Sequence, residues 1–325
     1  MATAPATTPT TTGPAAPAGR SRPGRTAPAT AARGQRRRRA LTGWAFAAPF
    51  TVLFGLFLAI PVVASLVMSL TDLRSTDLRT PLRVDFVGLE NYARLFTDDL
   101  FLRAALNTGV FVLVGVPLTM VLGLAAASAL NSGLIRLRGL FRVGFYLPVV
   151  TSIVAIAVVW RLVLDPEAGL VNALLRLVGV DGPNWLGDSG LALPSITVMA
   201  AWRNFGFLMV VFLAGLQTIP ADLYEAARLD GASRWDQFRY VTLPLLRPTL
   251  LFGAVVTGIG YLQLFEEPFV MTRGGPLSST LSVSYHIYNQ FGFGNYGYAA
   301  AASYVLFVSI VALSVLQFRL LRSRD

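Results

Sequence analysis

The chain has 325 residues, 54% of them hydrophobic and only 14% charged, with 27 basic and 17 acidic side chains giving a net charge of +10. One soluble core of this size cannot bury so much apolar side chain, so lipid must be one of the protein's solvents. Cysteine is missing, which excludes disulfides, thiolate metal sites and cysteine nucleophiles. Lysine is missing too, which excludes a Gly-x-x-x-x-Gly-Lys phosphate cradle, so any energy must come from a partner or an ion gradient.

Residues 1–40 are Ala, Thr, Pro, Gly and Arg with almost nothing to bury, and this composition predicts a disordered cytoplasmic tail. From residue 41 to 325 the apolar residues gather into six blocks: Trp44–Leu70, Leu106–Leu130, Val143–Leu164, Leu191–Leu216, Leu245–Met271 and Tyr298–Phe318. Each reaches the about 20 residues of helix that cross a bilayer. The expectation is an all-α integral membrane protein with six transmembrane helices.

The charges supply a topology. With the N-terminus inside, 18 arginines lie on the inner side and 7 on the outer, while Arg161 and Arg203 fall within spans. Basic loops stay cytoplasmic, so both termini are expected there, in a multi-pass membrane protein. The basic excess is then a topological signal, and a nucleic-acid partner loses its support.

On the outer side, Gly169–Val178 reads as an amphipathic helix with Leu170, Leu174, Leu177 and Val178 on one face, suited to the membrane interface. Arg161 is near enough to a span end to snorkel. His286 has no ligand-type neighbours at metal spacing and reads as a surface or interface residue.

The inner loop 217–244 codes for two short helices with a hard corner. Pro220 and Asp222 suit a helix start, Gly231 suits a left-handed C-cap, and Ser233 with Asp236 forms a capping box. Trp235, Phe238 and Val241 share one face, suited to packing on the protein's own helix ends. Glu225 stands beside Ala226 and Ala227, small enough for another surface to approach closely. Capping signals alone leave two readings open, an ordinary interfacial hairpin and a docking corner.

Two spans carry polar groups that lipid would not tolerate. The fourth has Trp202, Arg203, Asn204 and Phe207; the fifth has Tyr261, Gln263, Phe265, Glu266 and Glu267. Aromatic faces with hydrogen-bonding groups match the apolar face and hydroxyls of a sugar ring. An ion pair between Arg203 and Glu266 or Glu267 is the competing structural reading.

The run Glu225-Ala226-Ala227, Asp230-Gly231-Ala232, Phe238 and Leu243-Pro244 resembles the EAA loop of permeases from binding-protein-dependent ABC importers. Val87–Tyr92, Asn107-Thr108, Phe145–Pro148 with Trp160, Gly169–Leu175 and Thr272–Pro276 are similar to the sugar-importer branch. Arg273 departs from it, standing where a small or polar residue is common. The resemblance, over roughly 44–320, implies a MetI-like type I permease core. It implies a non-catalytic subunit that moves a sugar or oligosaccharide, without a cofactor of its own. The implied partners are a second permease subunit, two cytoplasmic ATPase subunits, an extracytoplasmic sugar-binding protein and membrane lipid. It also implies that Glu225, Ala226, Ala227, Asp230 and Gly231 form the coupling helix at the ATPase, and that Arg203, Asn204, Phe207, Gln263 and Glu266 line a midplane sugar pocket. The alternative is a secondary transporter or channel for a polar solute. A membrane-embedded enzyme would need a Ser/His/Asp set or a metal spacing, and the spans carry neither.

Overall fold

A computed structural model describes residues 29–79, 84–132 and 136–321. Residues 1–28 of the tail expected over 1–40 lie outside the described residues; the rest of it, from Ala29, is helical. Among the described residues the protein is built from helices, with one isolated antiparallel bridge between Thr71 and Phe86. The chain divides into two compact units at Pro61/Val62. The first holds α1 (Ala29–Phe54) and a π-helical turn, Gly55–Ala59.

The chain continues through α2 (Ile60–Ser69), a 3₁₀ turn at Ser75–Arg79, α3 (Glu90–Leu95), α4 (Asp99–Asn131), α5 (Arg138–Val150) and α6 (Ile153–Val163). Then follow α7 (Leu170–Leu177), α8 (Ala192–Gln217), α9 (Ala221–Leu229) and α10 (Arg234–Asp236). A π turn, Gln237–Thr242, leads into α11 (Leu243–Leu262), α12 (Glu266–Met271), α13 (Val283–Gly292) and α14 (Tyr296–Leu321). Five helical stretches are long and apolar enough to cross a membrane: Thr42–Ser69, Asp99–Asn131, Ala192–Gln217, Arg234–Leu262 and Tyr296–Leu320. Counting α5 and α6 as one bent span makes six.

Two of the expected spans are not single helices. The third turns by 100° between α5 and α6. Thr151 is extended there (ψ 146°), and its hydroxyl donates to the Leu147 carbonyl at 2.9 Å, replacing an amide donor lost at the corner. The fifth stops at Leu262, and Gln263–Phe265 separate it from α12. In the opposite direction, the second helix of the inner loop is not separate from the fifth span. A π turn carries the backbone from α10 straight into α11, absorbing the prolines into one 29-residue helix.

Packing centres on α8, which runs against α4, α5 and α11. Between membrane helices close approach replaces the hydrophobic effect as the source of adhesion, so small residues lie at the contacts. At Gly206 of α8 an added Cβ would stand 1.9 Å from the Phe145 carbonyl oxygen, so any side chain there would push α5 away. Tyr261 crosses the bundle with its hydroxyl 2.7 Å from that of Thr119 and its ring 4.8 Å from Phe111.

Asparagines fasten the segments between spans to helix ends. Asn91 donates to the carbonyls of Ser69 and Thr71 at 3.0 and 2.8 Å, and Tyr92 meets the Ser69 hydroxyl at 2.8 Å. Asn107 donates to the carbonyls of Ser278 and Leu281, and Thr108 accepts from the Val283 amide. These bonds give a physical reason for the Val87–Tyr92 and Asn107-Thr108 pieces noted in the sequence. Asn172 does the same for α7, donating to Pro166 and Pro183 carbonyls and accepting from the Trp185 indole at 2.7 Å. Leu170, Leu174, Leu177 and Val178 stay exposed on the other side of α7.

Candidate functional site

The cavity that gathers the polar groups of the spans has a volume of about 300 Å³. Arg203, Asn204 and Phe207 reach it from α8, Val256, Thr257 and Tyr261 from α11, and Val149 and Ile153 from the two sides of the α5/α6 corner. Gln263, Glu266 and Glu267 reach it from the break between α11 and α12. All five residues singled out for a pocket, Arg203, Asn204, Phe207, Gln263 and Glu266, thus share one cavity. In an unbroken fifth span Gln263 and Glu266, three residues apart, would share one face, but within a continuous hydrogen-bond ladder. The break instead leaves backbone and side chains of this segment facing a polar space, where irregular backbone is tolerated in a membrane.

The polar groups are incompletely satisfied by the protein. Arg203 donates to the Asn204 side-chain oxygen at 3.2 Å, while its buried Nε has no partner. Asn204 donates to the Ala200 carbonyl at 2.9 Å. No ion pair within 4 Å joins Arg203 to Glu266 or Glu267; among the described residues the one such pair shown is Asp98 with His286. The structural ion pair expected as one reading is therefore not formed. Glu267, for which a substrate role and that ion pair were both open, is buried at 6% exposure against the cavity wall, and Glu266 is exposed.

The second candidate site is the inner corner. Helix α9 ends in a Schellman motif: the Ala232 amide donates to the Ala227 carbonyl at 2.9 Å and the Gly231 amide to the Arg228 carbonyl at 3.1 Å. Gly231 has φ +80°, the left-handed conformation that its lack of Cβ makes cheap. Two residues on, the Ser233/Asp236 capping box opens α10. Glu225, Ala226, Asp230 and Gly231 are exposed, with Ala227 half-buried. Trp235, expected to pack on the protein's own helix ends, is 66% exposed and stacks on Phe238 with ring centroids 5.6 Å apart. Leu229 is exposed as well, so the corner presents apolar side chains around a carboxylate.

Two outer residues differ from expectation or explain it. His286 is buried, not a surface residue: it lies edge-on to Phe101 and Tyr298 with Nε2 3.9 Å from Asp98. Burial pushes its pKa down, partly countered by the Asp98 charge. Burial alone would raise Asp98, but the Tyr298 hydroxyl and the amides of Phe101 and Leu100 hold its carboxyl below the ordinary range. Arg273 sits at φ 53°, where glycine or asparagine costs least, which accounts for a small or polar residue being the usual occupant. Arg161 is exposed and reaches the Val270 carbonyl at 3.4 Å.

Comparison with known proteins follows the same lines. Residues 115–323 match the family described as "Binding-protein-dependent transport system inner membrane component". The lactose transport system permease protein LacF of Rhizobium radiobacter is 38% identical over 290 residues, 87% of this chain and 95% of that protein. The trehalose/maltose transport system permease protein MalF of Thermococcus litoralis is 34% identical, covering 88% of this chain and 96% of that one. Among solved structures, a bacterial ABC transporter involved in import of the acidic polysaccharide alginate superposes with a TM-score of 0.72 at 25% identity, over 89% of this chain and 97% of that chain. The same kind of transporter in complex with an alginate pentasaccharide-bound periplasmic protein superposes with a TM-score of 0.73.

Proposed function

Because the chain belongs to the family of inner membrane components of binding-protein-dependent transport systems, we propose that it is the non-catalytic permease subunit of an ABC importer for a sugar or short oligosaccharide. It works beside a second permease subunit, two cytoplasmic ATPase subunits and an extracytoplasmic sugar-binding protein, in the bacterial cell membrane with both termini cytoplasmic.

One observation carries the sugar reading: the α11/α12 break brings Gln263 and Glu266 into the same small cavity as Arg203, Asn204 and Phe207. Hydroxyls of a saccharide supply the partners that Arg203 lacks, and Phe207 and Tyr261 offer apolar faces to the ring. The energy enters elsewhere. Helix α9 docks through Glu225, Ala226, Ala227, Asp230 and Gly231 into a cleft of the ATPase. ATP-driven closure of the two ATPases draws the coupling helices together and opens the cavity outward, where the binding protein releases its sugar; hydrolysis reverses the change. The cavity itself makes and breaks no covalent bond.

The test is purification of the tagged chain from membranes, combined with uptake of radiolabelled lactose, maltose and trehalose by cells with and without the gene. Co-purification of an ATPase and gene-dependent uptake of at least one sugar are the expected results. A chain that purifies alone, and whose loss changes no sugar uptake, would remove the assignment.

A further inference from the structure

Fourteen residues line the cavity, and the charged side chains among them are Arg203, Glu266 and Glu267: one cation against two carboxylates. Glu267 lies within the protein at 6% exposure, and Arg203 is half-buried with its Nε unpartnered. No salt bridge within 4 Å ties the guanidinium to either acid. The guanidinium is therefore not neutralised by direct contact with either carboxylate.

From this arrangement we infer that the cavity selects neutral saccharides of one or two rings and rejects acidic ones such as uronates. The inference rests on the sugar-importer reading and deepens it. A neutral ring offers hydroxyls that donate to a carboxylate and accept from a guanidinium at once, so one diol can bridge Arg203 and Glu266 and satisfy both. An added carboxylate on the ring would enter a space that already holds two. Even with one of the glutamates protonated, the wall carries one cation and one anion, and so presents no net positive charge to an incoming anion. Like charges brought together repel, and the buried Glu267 is the less screened of the two carboxylates. The volume of about 300 Å³ stands at the lower end for small-ligand sites, which limits the occupant to a short saccharide. The structurally similar transporter is described as importing an acidic polysaccharide, so the likeness of fold does not extend to this choice of charge.

The experiment measures equilibrium binding of radiolabelled maltose and lactose, and of the same disaccharides oxidised at C6 to uronates. The target is the permease complex purified into nanodiscs with its own partners but without the binding protein, so that the cavity alone discriminates. The expected result is uronate binding about tenfold or more weaker than the neutral parent. In Glu266→Gln, an exposed position that folding tolerates, the gap narrows; Glu267→Gln narrows it further where that variant folds. Uronates that bind as well as their parents would overturn the charge selection while leaving a sugar permease in place. A gap unchanged in a well-folded Glu266→Gln and Glu267→Gln would also overturn it, since these carboxylates would not be its cause. Binding of neither class would overturn the sugar reading itself and this inference with it.

Discussion

The hydroxyls of Tyr224 and Thr242 meet at 2.9 Å, joining the middle of α9 to the π turn from which α11 rises. Helix α11 in turn carries Tyr261 and ends at Gln263, so the bond is a short mechanical link between the inner corner and a helix that lines the cavity. Thr242 has a second partner, the Gln237 carbonyl at 3.3 Å, and stays satisfied without the tyrosine. Tyr224→Phe should therefore cost only about 0.5–1.5 kcal/mol and leave protein yield unchanged. Sugar-stimulated ATP hydrolysis by the assembled complex should fall several-fold, measured in proteoliposomes. Normal stimulation would show that force does not pass through this bond.

Alanine at Asn204, Gln263 or Glu266 should each weaken saccharide binding by roughly 1–3 kcal/mol, because the sugar group left behind loses its partner in a partly desolvated site. Glu266 forms no ion pair with Arg203, so its removal strands no buried cation and should not reduce the amount of folded protein. Binding titrations and membrane yield together check this. Unchanged binding in all three variants would move the pocket elsewhere, and a collapse in yield for Glu266→Ala would reinstate a structural role.

Acid should loosen the outer end of the bundle. His286 is held below its ordinary value of 6.5, so between the two pKa values the unfolded chain binds more protons than the folded one. Its contribution is complete above 6.5 and is lost as the pH falls below that value. Asp98 is held below 3.8, and its contribution follows only at more acid pH. The Arg94 guanidinium lies 5.0 Å from the Tyr298 ring centroid. In detergent the Tm should drop from about pH 7.5 to about pH 5.5, and His286→Gln should flatten that limb. A Tm that rises on acidification would reverse the assignment.

Much of this architecture is legible in the residues, and the misses have local causes. A straight apolar block announces a span because lipid demands about 20 uninterrupted residues, and α4, α8 and α14 obey it. The corner at Thr151-Ser152 and the break at Gln263–Phe265 are apolar enough to pass for helix, since hydropathy does not register how backbone groups are paired. The hydroxyl run Thr151-Ser152, able to bond a carbonyl one turn back, is the signal that was available. His286 looks like a surface residue because its buried neighbours, Asp98 and Tyr298, lie far away in sequence. Trp235 suggests packing by residue type alone, whereas its exposure in the described chain leaves it facing outward.

The arginine bias predicts the loops around α9 inside and α7 outside. As the chain contains no cysteine, a single one introduced at Asp181 should react with an impermeant maleimide added to intact cells. One at Ser233 should react only after the membrane is opened. The opposite labelling pattern would invert the topology and place the EAA-like corner on the wrong side for an ATPase.

Gly231 and Glu225 test the corner from two directions, geometry and charge. At φ +80° a valine in place of Gly231 is strained whatever space surrounds it, and the Schellman bonds from residues 231 and 232 must loosen, at a cost of about 1 kcal/mol or more. That is too little to unfold the membrane helices but enough to turn the end of α9 away from a docking cleft, since the Tyr224 bond holds the middle of the helix. Glu225 is exposed and makes no ion pair within 4 Å among the described residues, so Glu225→Ala removes a charge that only a partner would miss. Both variants should therefore reach the membrane in normal amounts. Both should lose sugar uptake, with weaker recovery of the ATPase when the tagged chain is purified. Charge reversal offers a finer reading: Glu225→Arg should be worse than Glu225→Ala if the ATPase presents an arginine, because it replaces an absent attraction with a repulsion. Retention of uptake and of the ATPase in all three would show that the corner is an interfacial hairpin and that energy reaches the cavity by another route.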